Sequence, residues 1–290
     1  MQQRTPSKVG GFVLSLLKAA CYVILFLVVQ SGVIGAYSGY YSLGLGTNLS
    51  PYDAYDRVME AVYANLTVLT LISGILTILI LAIFFALRHK NLLTECRLTA
   101  VSPKALFLCA LIGTALNVVV SVTISMLPLP EAWFEGLDAQ YAYLGESNIL
   151  LEILSTAVVT GLVEELIFRG LAESRLRRGM PVVLSMLGSA LIFGLCHGTP
   201  IAIGYATVLG LVFSLLDRRY DSILPSVVTH MFFNACSLWF VTEDTLLILA
   251  AYLICGGVLI GGLYLYFRRE AEPEMAETDT TPVETETVEK

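Results

Sequence analysis

The sequence is poor in charged residues, and this scarcity limits the kind of protein it can encode. Charged side chains make up 14% of the 290 residues, whereas hydrophobic residues make up 56%. Soluble domains usually carry about 25% charged residues, so this composition indicates a membrane protein. The net charge of -7 argues against nucleic acid as a partner, because phosphate binding requires a basic surface.

Paired cysteine motifs are also absent. The six cysteines contain no CxxC pair, and five of them lie within apolar runs. They are Cys21, Cys96, Cys109, Cys196, Cys236 and Cys255. This pattern argues against a zinc knuckle and against a disulfide framework. We expect these thiols to act as small buried hydrophobic side chains.

Apolar runs of the length that crosses a bilayer, about 20 residues, recur along the chain. We predict eight spans, at 12–36, 63–87, 105–127, 149–170, 182–198, 201–216, 225–241 and 246–267. The sequence therefore predicts an all-α polytopic membrane protein with about eight transmembrane helices. No internal repeat of the kind that marks many transporters is visible.

Four regions follow from this pattern. Residues 1–147 hold the first three helices with their external loops, and residues 148–241 hold the next four as a core. Residues 242–267 contain the last span, and residues 268–290 form an acidic tail, which we expect to be disordered. The external loop at 128–147 carries aromatic residues among acids, so we expect it at the membrane interface.

Basic residues are nearly missing from one set of loops. Lys and Arg lie before the first span and after every even-numbered span, whereas the opposite loops carry only Arg57 among many acids. Because basic loops stay cytoplasmic, both termini are predicted to be cytoplasmic. We expect a multi-pass protein of the bacterial plasma membrane, with the lipid bilayer as its surroundings.

Three charged residues lie together near the end of the fourth span. A charge in hydrocarbon costs at least about 2.5 kcal/mol, so Glu164, Glu165 and Arg169 need a reason to be there. Glu165 and Arg169 are four residues apart, which favours an ion pair on one helix face. Glu164 has no such local partner and is a candidate general base. The alternative is an ordinary helix end with snorkelling charges.

Histidine is scarce, so its three positions are informative. His89 lies beside basic residues at a span end, as an interface charge would. His197 lies in the fifth predicted span and shares a helix face with Phe193, and His230 in the seventh shares one with Asn234. A lone histidine on an apolar helix usually only packs, but two beside a diglutamate favour a polar site.

Gathered together, these side chains would provide what amide hydrolysis needs. The candidate catalytic residues are Glu164, Glu165, His197, His230 and Asn234. They offer a carboxylate to deprotonate water, imidazoles to move protons or bind a metal, and an amide donor for an oxyanion. Six glycines are expected to let the helices approach closely, namely Gly161, Gly170, Gly188, Gly194, Gly198 and Gly204.

The same residues resemble the motifs of a known family. Glu164 to Arg169 resembles the EExxxR motif of the CPBP intramembrane proteases, which include CAAX prenyl proteases and the Abi bacteriocin-processing and immunity proteins. Phe193 to His197 resembles the FxxxH motif of that family, and His230 to Asn234 its HxxxN motif. The resemblance covers roughly 148–241, with the motifs in the order of the family.

The resemblance implies an endopeptidase site inside the bilayer that acts on a membrane-associated peptide or protein. Glu164 and His197 would activate the water, Glu165 with Arg169 and Phe193 would support the site, and His230 and Asn234 would bind metal or stabilise the oxyanion.

The residues alone do not decide whether a metal takes part, and of the two possibilities we favour a metal-linked reaction. A divalent ion such as Zn²⁺ would take Glu164, His197 and His230 as ligands with one position left for water. Activation of water by Glu164 and His197 needs no metal.

Two other functions stay open as well. One is an immunity or scaffold protein of the same family without essential catalysis. The other is a proton-coupled transporter in which glutamates and histidines relay protons.

One geometric question follows from the predicted spans. His197 lies far from the start of the fifth span, whereas Glu164 lies close to the end of the fourth. Either the fourth helix continues to about Arg175, or the fifth starts later or tilts.

Overall fold

The computed structural model describes residues 8–45, 49–134, 148–238 and 244–268. Within these ranges the regular elements are helices and no strand occurs. The chain is therefore an all-α polytopic membrane protein. The predicted tail at 268–290, apart from its first residue, and most of the predicted interfacial loop at 128–147 lie outside the described residues.

Ten helices and one 3-10 turn follow one another along the described chain. The first five are α1 (Lys8–Leu43), α2 (Pro51–Ala64), α3 (Leu66–Leu87), α4 (Leu92–Glu95) and α5 (Pro103–Met126), and the turn is Glu131–Trp133. The others are α6 (149–176), α7 (Val182–Leu195), α8 (Pro200–Tyr220), α9 (Leu224–Ser237) and α10 (Thr245–Phe267). Each of the eight predicted spans corresponds to one of these helices.

Five of the described helices are long and apolar enough to cross a membrane. They are Gly10–Leu43, Leu66–Leu87, Pro103–Met126, Pro200–Tyr220 and Thr245–Phe267. Helices α7 and α9 have 14 residues each, which is about 21 Å and less than the ~30 Å of a bilayer core. The prediction of helical spans at 182–198 and 225–241 is therefore too long at the C-terminal ends.

The N-terminal half also departs from the predicted boundaries. Helix α1 continues to Leu43, past its predicted end at 36, and the amphipathic helix α2 follows before α3. Ser50 caps α2, since its Oγ accepts a hydrogen bond from the Asp53 backbone N–H at 3.1 Å, and Pro51 stands in the first turn. The Ser-Pro pair is the local signal for this helix.

Helix α6 is one continuous rod with two wider segments. It runs through Ile149–Glu152, a π-helical segment Ile153–Val159, Thr160–Glu165, a second π-helical segment Leu166–Glu173, and Ser174–Leu176. All eight residues of the second π segment are buried. Because α6 continues past Arg175, the first of the two alternatives for its length holds, and the glutamates lie deeper than a helix ending at residue 170 would place them.

Two apolar clusters form the core on either side of α8 and α9. The first joins α1, α3 and α6 with α7, α8 and α9 through residues such as Phe26, Phe168 and Phe193. The second joins α5 and α10 to α8 and α9 around Phe213 and Tyr266. Helix α6 therefore lies in the first cluster, with helices on several sides.

Glycine allows close helix contacts at only some of the predicted positions. A Cβ at Gly161 would lie 3.2 Å from Met231 Cγ on α9, one at Gly170 would lie 2.8 Å from Cys96 Cβ, and one at Gly194 would meet Thr207 of α8. Gly188 has only an ordinary contact, and Gly198 and Gly204 face open space, so for these three the prediction of close contact is wrong.

The cysteines are free thiols, but their burial varies. Cys96 and Cys109 are buried, Cys196, Cys236 and Cys255 are half-buried, and Cys21 is exposed. The prediction that they act as buried small side chains therefore fails for Cys21, which lies on the outer face of α1.

Candidate active site

A buried ion pair on α6 anchors the site. Arg169 Nη1 donates to Glu165 Oε1 at 2.9 Å, and neither side chain is exposed. The guanidinium also lies over two aromatic rings, with its carbon 4.3 Å from the Phe193 centroid and 5.2 Å from the Phe213 centroid. This confirms the predicted i,i+4 pair, and the aromatic faces add cation–π attraction at a desolvated position.

His230 connects this pair to Glu164. Its Nδ1 lies 2.9 Å from Glu165 Oε1, and its Nε2 lies 3.7 Å from Glu164 Oε2. A carboxylate only accepts hydrogen bonds, so Nδ1 carries a proton and donates it to Glu165. The ring is also stacked on Phe213, at 5.0 Å between centroids. Glu164 thus lies beside His230, another member of the cluster predicted from the sequence.

His197 lies just beyond α7 rather than inside a span. The helix ends at Leu195, Cys196 is its C-cap, and Gly198 has φ +80, a backbone conformation that favours glycine. Thr199 and Pro200 then begin α8, with the Thr199 Oγ1 accepting from the Ala202 N–H. The placement of His197 within a transmembrane helix is therefore corrected, because the chain turns at this point.

The orientation of the His197 ring is set by contacts with the last turn of α7. Its Nδ1 lies 2.8 Å from the Phe193 carbonyl, and the two rings meet edge to face at 4.7 Å. A carbonyl can only accept, so Nδ1 bears the proton and Nε2 keeps its lone pair. The predicted sharing of one face by Phe193 and His197 is confirmed.

Glu164 and His197 line one cavity of about 280 Å³. Glu164 keeps 12% of its side chain exposed, in contrast to the fully buried Glu165. Other lining residues come from α1 and α3, including Phe26, Gln30 and Ser73. A partly hydrated carboxylate and an imidazole with a free lone pair at one cavity form a pair that can bind and deprotonate water.

Asn234 lies one turn after His230 on α9, as predicted, but part of its amide is already used. Its Nδ2 donates to the Thr156 carbonyl of the first π segment at 2.9 Å. An amide nitrogen has two hydrogens, so one N–H remains for another acceptor. The bond also ties α9 to α6.

Phe193 lies between the charged groups of the site. It is 1% exposed, and besides Arg169 and His197 it meets the His230 ring at 5.9 Å. The ring is thus in contact with both histidines and covers the guanidinium.

Two buried acidic residues near the site were not identified as candidates from the sequence. Asp217 is 1% exposed, and its Oδ1 accepts from the Ser226 backbone N–H at 3.1 Å at the start of α9. Glu173 accepts from Ser214 Oγ at 2.6 Å, which joins α6 to α8. The predicted span at 201–216 ended just before Asp217. A span extended to include this acid would have indicated Asp217 as a buried polar residue.

The fit to a metal centre is incomplete. In both His197 and His230 the Nδ1 is held by an oxygen acceptor, which is how histidine ligands of metals in proteins are usually oriented. Among the residues that the structure describes, however, no three His, Cys, Asp or Glu side chains are grouped closely enough to hold an ion. Glu164, His197 and His230 therefore do not fit a three-ligand centre as they are placed.

Comparison with known proteins gave a family match for the part of the chain that contains these residues. No curated protein and no solved structure matched the sequence. Residues 146–236 match the family described as type II CAAX prenyl endopeptidase Rce1-like, and this segment contains the EExxxR, FxxxH and HxxxN residues. This match is consistent with a CPBP family intramembrane protease.

Proposed function

We propose that this chain is an intramembrane endopeptidase that hydrolyses a peptide bond in a membrane-associated peptide or protein. The observation that carries the proposal is that Glu164 and His197 line one cavity, while His230 lies 3.7 Å from Glu164. The Rce1-like segment at 146–236 supports the reaction class.

In the proposed reaction a water molecule lies between Glu164 and His197. The Nε2 lone pair of His197 accepts one hydrogen bond from the water and orients it. Glu164 takes the other proton as the oxygen attacks the peptide carbonyl, which becomes an oxyanion. When the C–N bond breaks, Glu164 returns the proton to the leaving amine, so the products are a carboxylic acid and an amine.

The other polar residues position these two. The Nε2 of His230 faces Glu164, and its Nδ1–H is held by Glu165, whose charge Arg169 balances. This chain of contacts places His230 beside the Glu164 carboxylate. The second N–H of Asn234 is the proposed donor to the oxyanion, since the first is bound to Thr156.

The proposal is tested by cleavage assays on purified protein in lipid. The substrates are a library of membrane-associated peptides that includes prenylated CAAX peptides. We expect wild-type protein to cleave, and Glu164→Gln and His197→Ala to lose about 10²–10⁴-fold in rate, as for a lost general base. Glu131→Gln, which changes an exposed carboxylate in the 3-10 turn, serves as the matched control.

Two outcomes would contradict the proposal. Absence of cleavage by the wild-type protein across the library would remove the enzymatic function. Undiminished cleavage by Glu164→Gln would remove the assigned roles.

A metal-linked reaction is tested in the same assay. Treatment with a chelator, followed by addition of Zn²⁺, separates the two mechanisms. Unchanged activity after chelation agrees with the water activation proposed above, whereas loss and recovery would show that a metal takes part.

A further inference from the structure

Gln30 is a polar residue in the middle of the apolar helix α1. It lies outside residues 146–236 and belongs to none of the three motifs. Phe26, Gln30 and Ile34 are spaced by four and all line the cavity that contains Glu164 and His197. One face of α1 therefore forms a wall of the candidate active site.

The Gln30 side chain is half-buried, and the described part of the chain offers its carboxamide no hydrogen-bond partner. Its neighbours on the same face, Phe26 and Ile34, are apolar. A half-buried carboxamide without a protein partner is free to bind a molecule in the cavity, and full burial of such an amide without a partner would cost about 1–3 kcal/mol. Structural packing alone would be better provided by leucine at this position.

The chemistry of the partner follows from the carboxamide. It offers N–H donors and a carbonyl acceptor on one rigid plane, the same pattern as a backbone peptide group. A peptide segment that is cleaved must be unwound locally, and in a membrane its free N–H and C=O groups need partners. A carboxamide on the cavity wall can satisfy one of each.

We propose that the Gln30 carboxamide binds the backbone of an extended substrate segment, donating from Nε2 to a substrate carbonyl and accepting at Oε1 from a substrate N–H. The inference rests on the proposed function, because the substrate it names is the peptide cleaved at Glu164 and His197. It makes α1, which lies outside the Rce1-like segment, part of substrate recognition.

The first experiment measures binding without turnover. Glu164→Gln protein in lipid is titrated with a fluorescent library peptide, with and without Gln30→Leu. We expect Gln30→Leu to weaken binding about tenfold, as for the loss of hydrogen bonds to a buried backbone. Ser31→Leu is the matched control, since Ser31 is exposed in the same helical turn and is not among the residues that line the cavity.

The second experiment replaces single backbone N–H groups of a cleaved peptide by ester oxygens. With Gln30 present, one ester position should raise KM about tenfold and leave kcat nearly unchanged. In Gln30→Leu the same ester should have no further effect. If Gln30 had only a structural role, Gln30→Leu would lower the activity toward amide and ester peptides by the same factor.

The inference is overturned if Gln30→Leu and Ser31→Leu bind equally, if Glu164→Gln protein binds no peptide, or if no ester position depends on Gln30. Should Gln30→Leu fail to fold, the ester series on wild-type protein still decides, since a flat series contradicts backbone binding. Cleavage that requires Glu164 but not Gln30 would remove the inference alone. Gln30-dependent binding without cleavage by wild-type protein would remove the proposed function alone.

Discussion

The Glu165 carboxylate and the Arg169 guanidinium form an ion pair inside an apolar environment. Glu165 accepts from both Arg169 and His230 through the same oxygen, Oε1. Two nitrogens of Arg169, Nε and Nη2, have no hydrogen-bond partner among the described residues, and the rings of Phe193 and Phe213 cover the guanidinium. The arrangement holds a carboxylate in its charged form next to His230.

Arg169→Ala is expected to destabilise the protein by about 3–5 kcal/mol, because it leaves Glu165 buried without its counter-charge. The thermal midpoint of purified protein in detergent measures this, with Arg178→Ala at an exposed position as the control. Activity should fall as well, because Arg169 no longer holds the Glu165 carboxylate that accepts the hydrogen bond from His230. An unchanged midpoint would show that Glu165 does not need the guanidinium.

At the level of helices, the site depends on α6 and α9 lying close to their neighbours. On the far side of α9, a Cβ at Gly113 of α5 would collide with the backbone carbonyl of Thr229, next to His230. Backbone atoms cannot move aside as a flexible side chain can. The position of His230 is therefore set partly by a glycine outside the Rce1-like segment.

Gly113→Ala should therefore destabilise the protein by about 1–3 kcal/mol, as overpacking does. Gly32→Ala in α1 is the matched control, because nothing lies within 4 Å of a Cβ there. Alanine is a better helix former than glycine, so this control should be neutral or stabilising. Both are compared by thermal unfolding, and equal midpoints would contradict the close contact.

A second interaction between elements holds the loop before α5 against the end of α6. Glu95 accepts from Lys90 Nζ at 2.6 Å and from Arg175 Nη2 at 2.9 Å. The hydrogen bond from Lys90, followed by that from Arg175, holds the pKa of Glu95 below its ordinary value. The carboxylate thus ties α4 to α6.

This interaction predicts a pH dependence of stability. A depressed folded-state pKa gives stabilisation that is complete above the unfolded-state pKa and is lost as pH falls through the folded-state pKa. The midpoint advantage of wild type over Glu95→Gln should thus be present at pH 7 and shrink below about pH 4. A difference that stays constant across this range would contradict it, and Glu131→Gln provides the control.

At the scale of the whole molecule, the distribution of Lys and Arg predicts that both termini are cytoplasmic. Arg178 follows α6 on the predicted cytoplasmic side, and Tyr52 begins α2 on the opposite side. Both side chains are exposed, with Tyr52 at 74%. The two positions therefore report the orientation.

Arg178→Cys and Tyr52→Cys should react with a membrane-impermeant thiol reagent from opposite sides. In intact cells Tyr52→Cys should be labelled and Arg178→Cys protected, and in inside-out vesicles the pattern should reverse. The unmodified chain measures the background from Cys21 and the other native thiols. Labelling of both positions from the same side would show that the predicted topology is wrong.

Features that depend on neighbours along the chain could be predicted from the residues alone. Apolar length predicted the helices, and i,i+4 spacing predicted the Glu165–Arg169 pair and the contact of Phe193 with His197, because helical geometry places such residues side by side. The three motifs predicted the segment that matches the Rce1-like family.

Contacts between residues far apart in the chain became visible in the folded molecule. It brought His230 to Glu165 across 65 positions, connected it to Glu164, and placed Gln30 of α1 at the same cavity. It also moved His197 out of its predicted span, because the chain turns after Leu195. Such contacts arise from the packing of whole helices, and a periodic sequence pattern gives the face of each helix but not its partner.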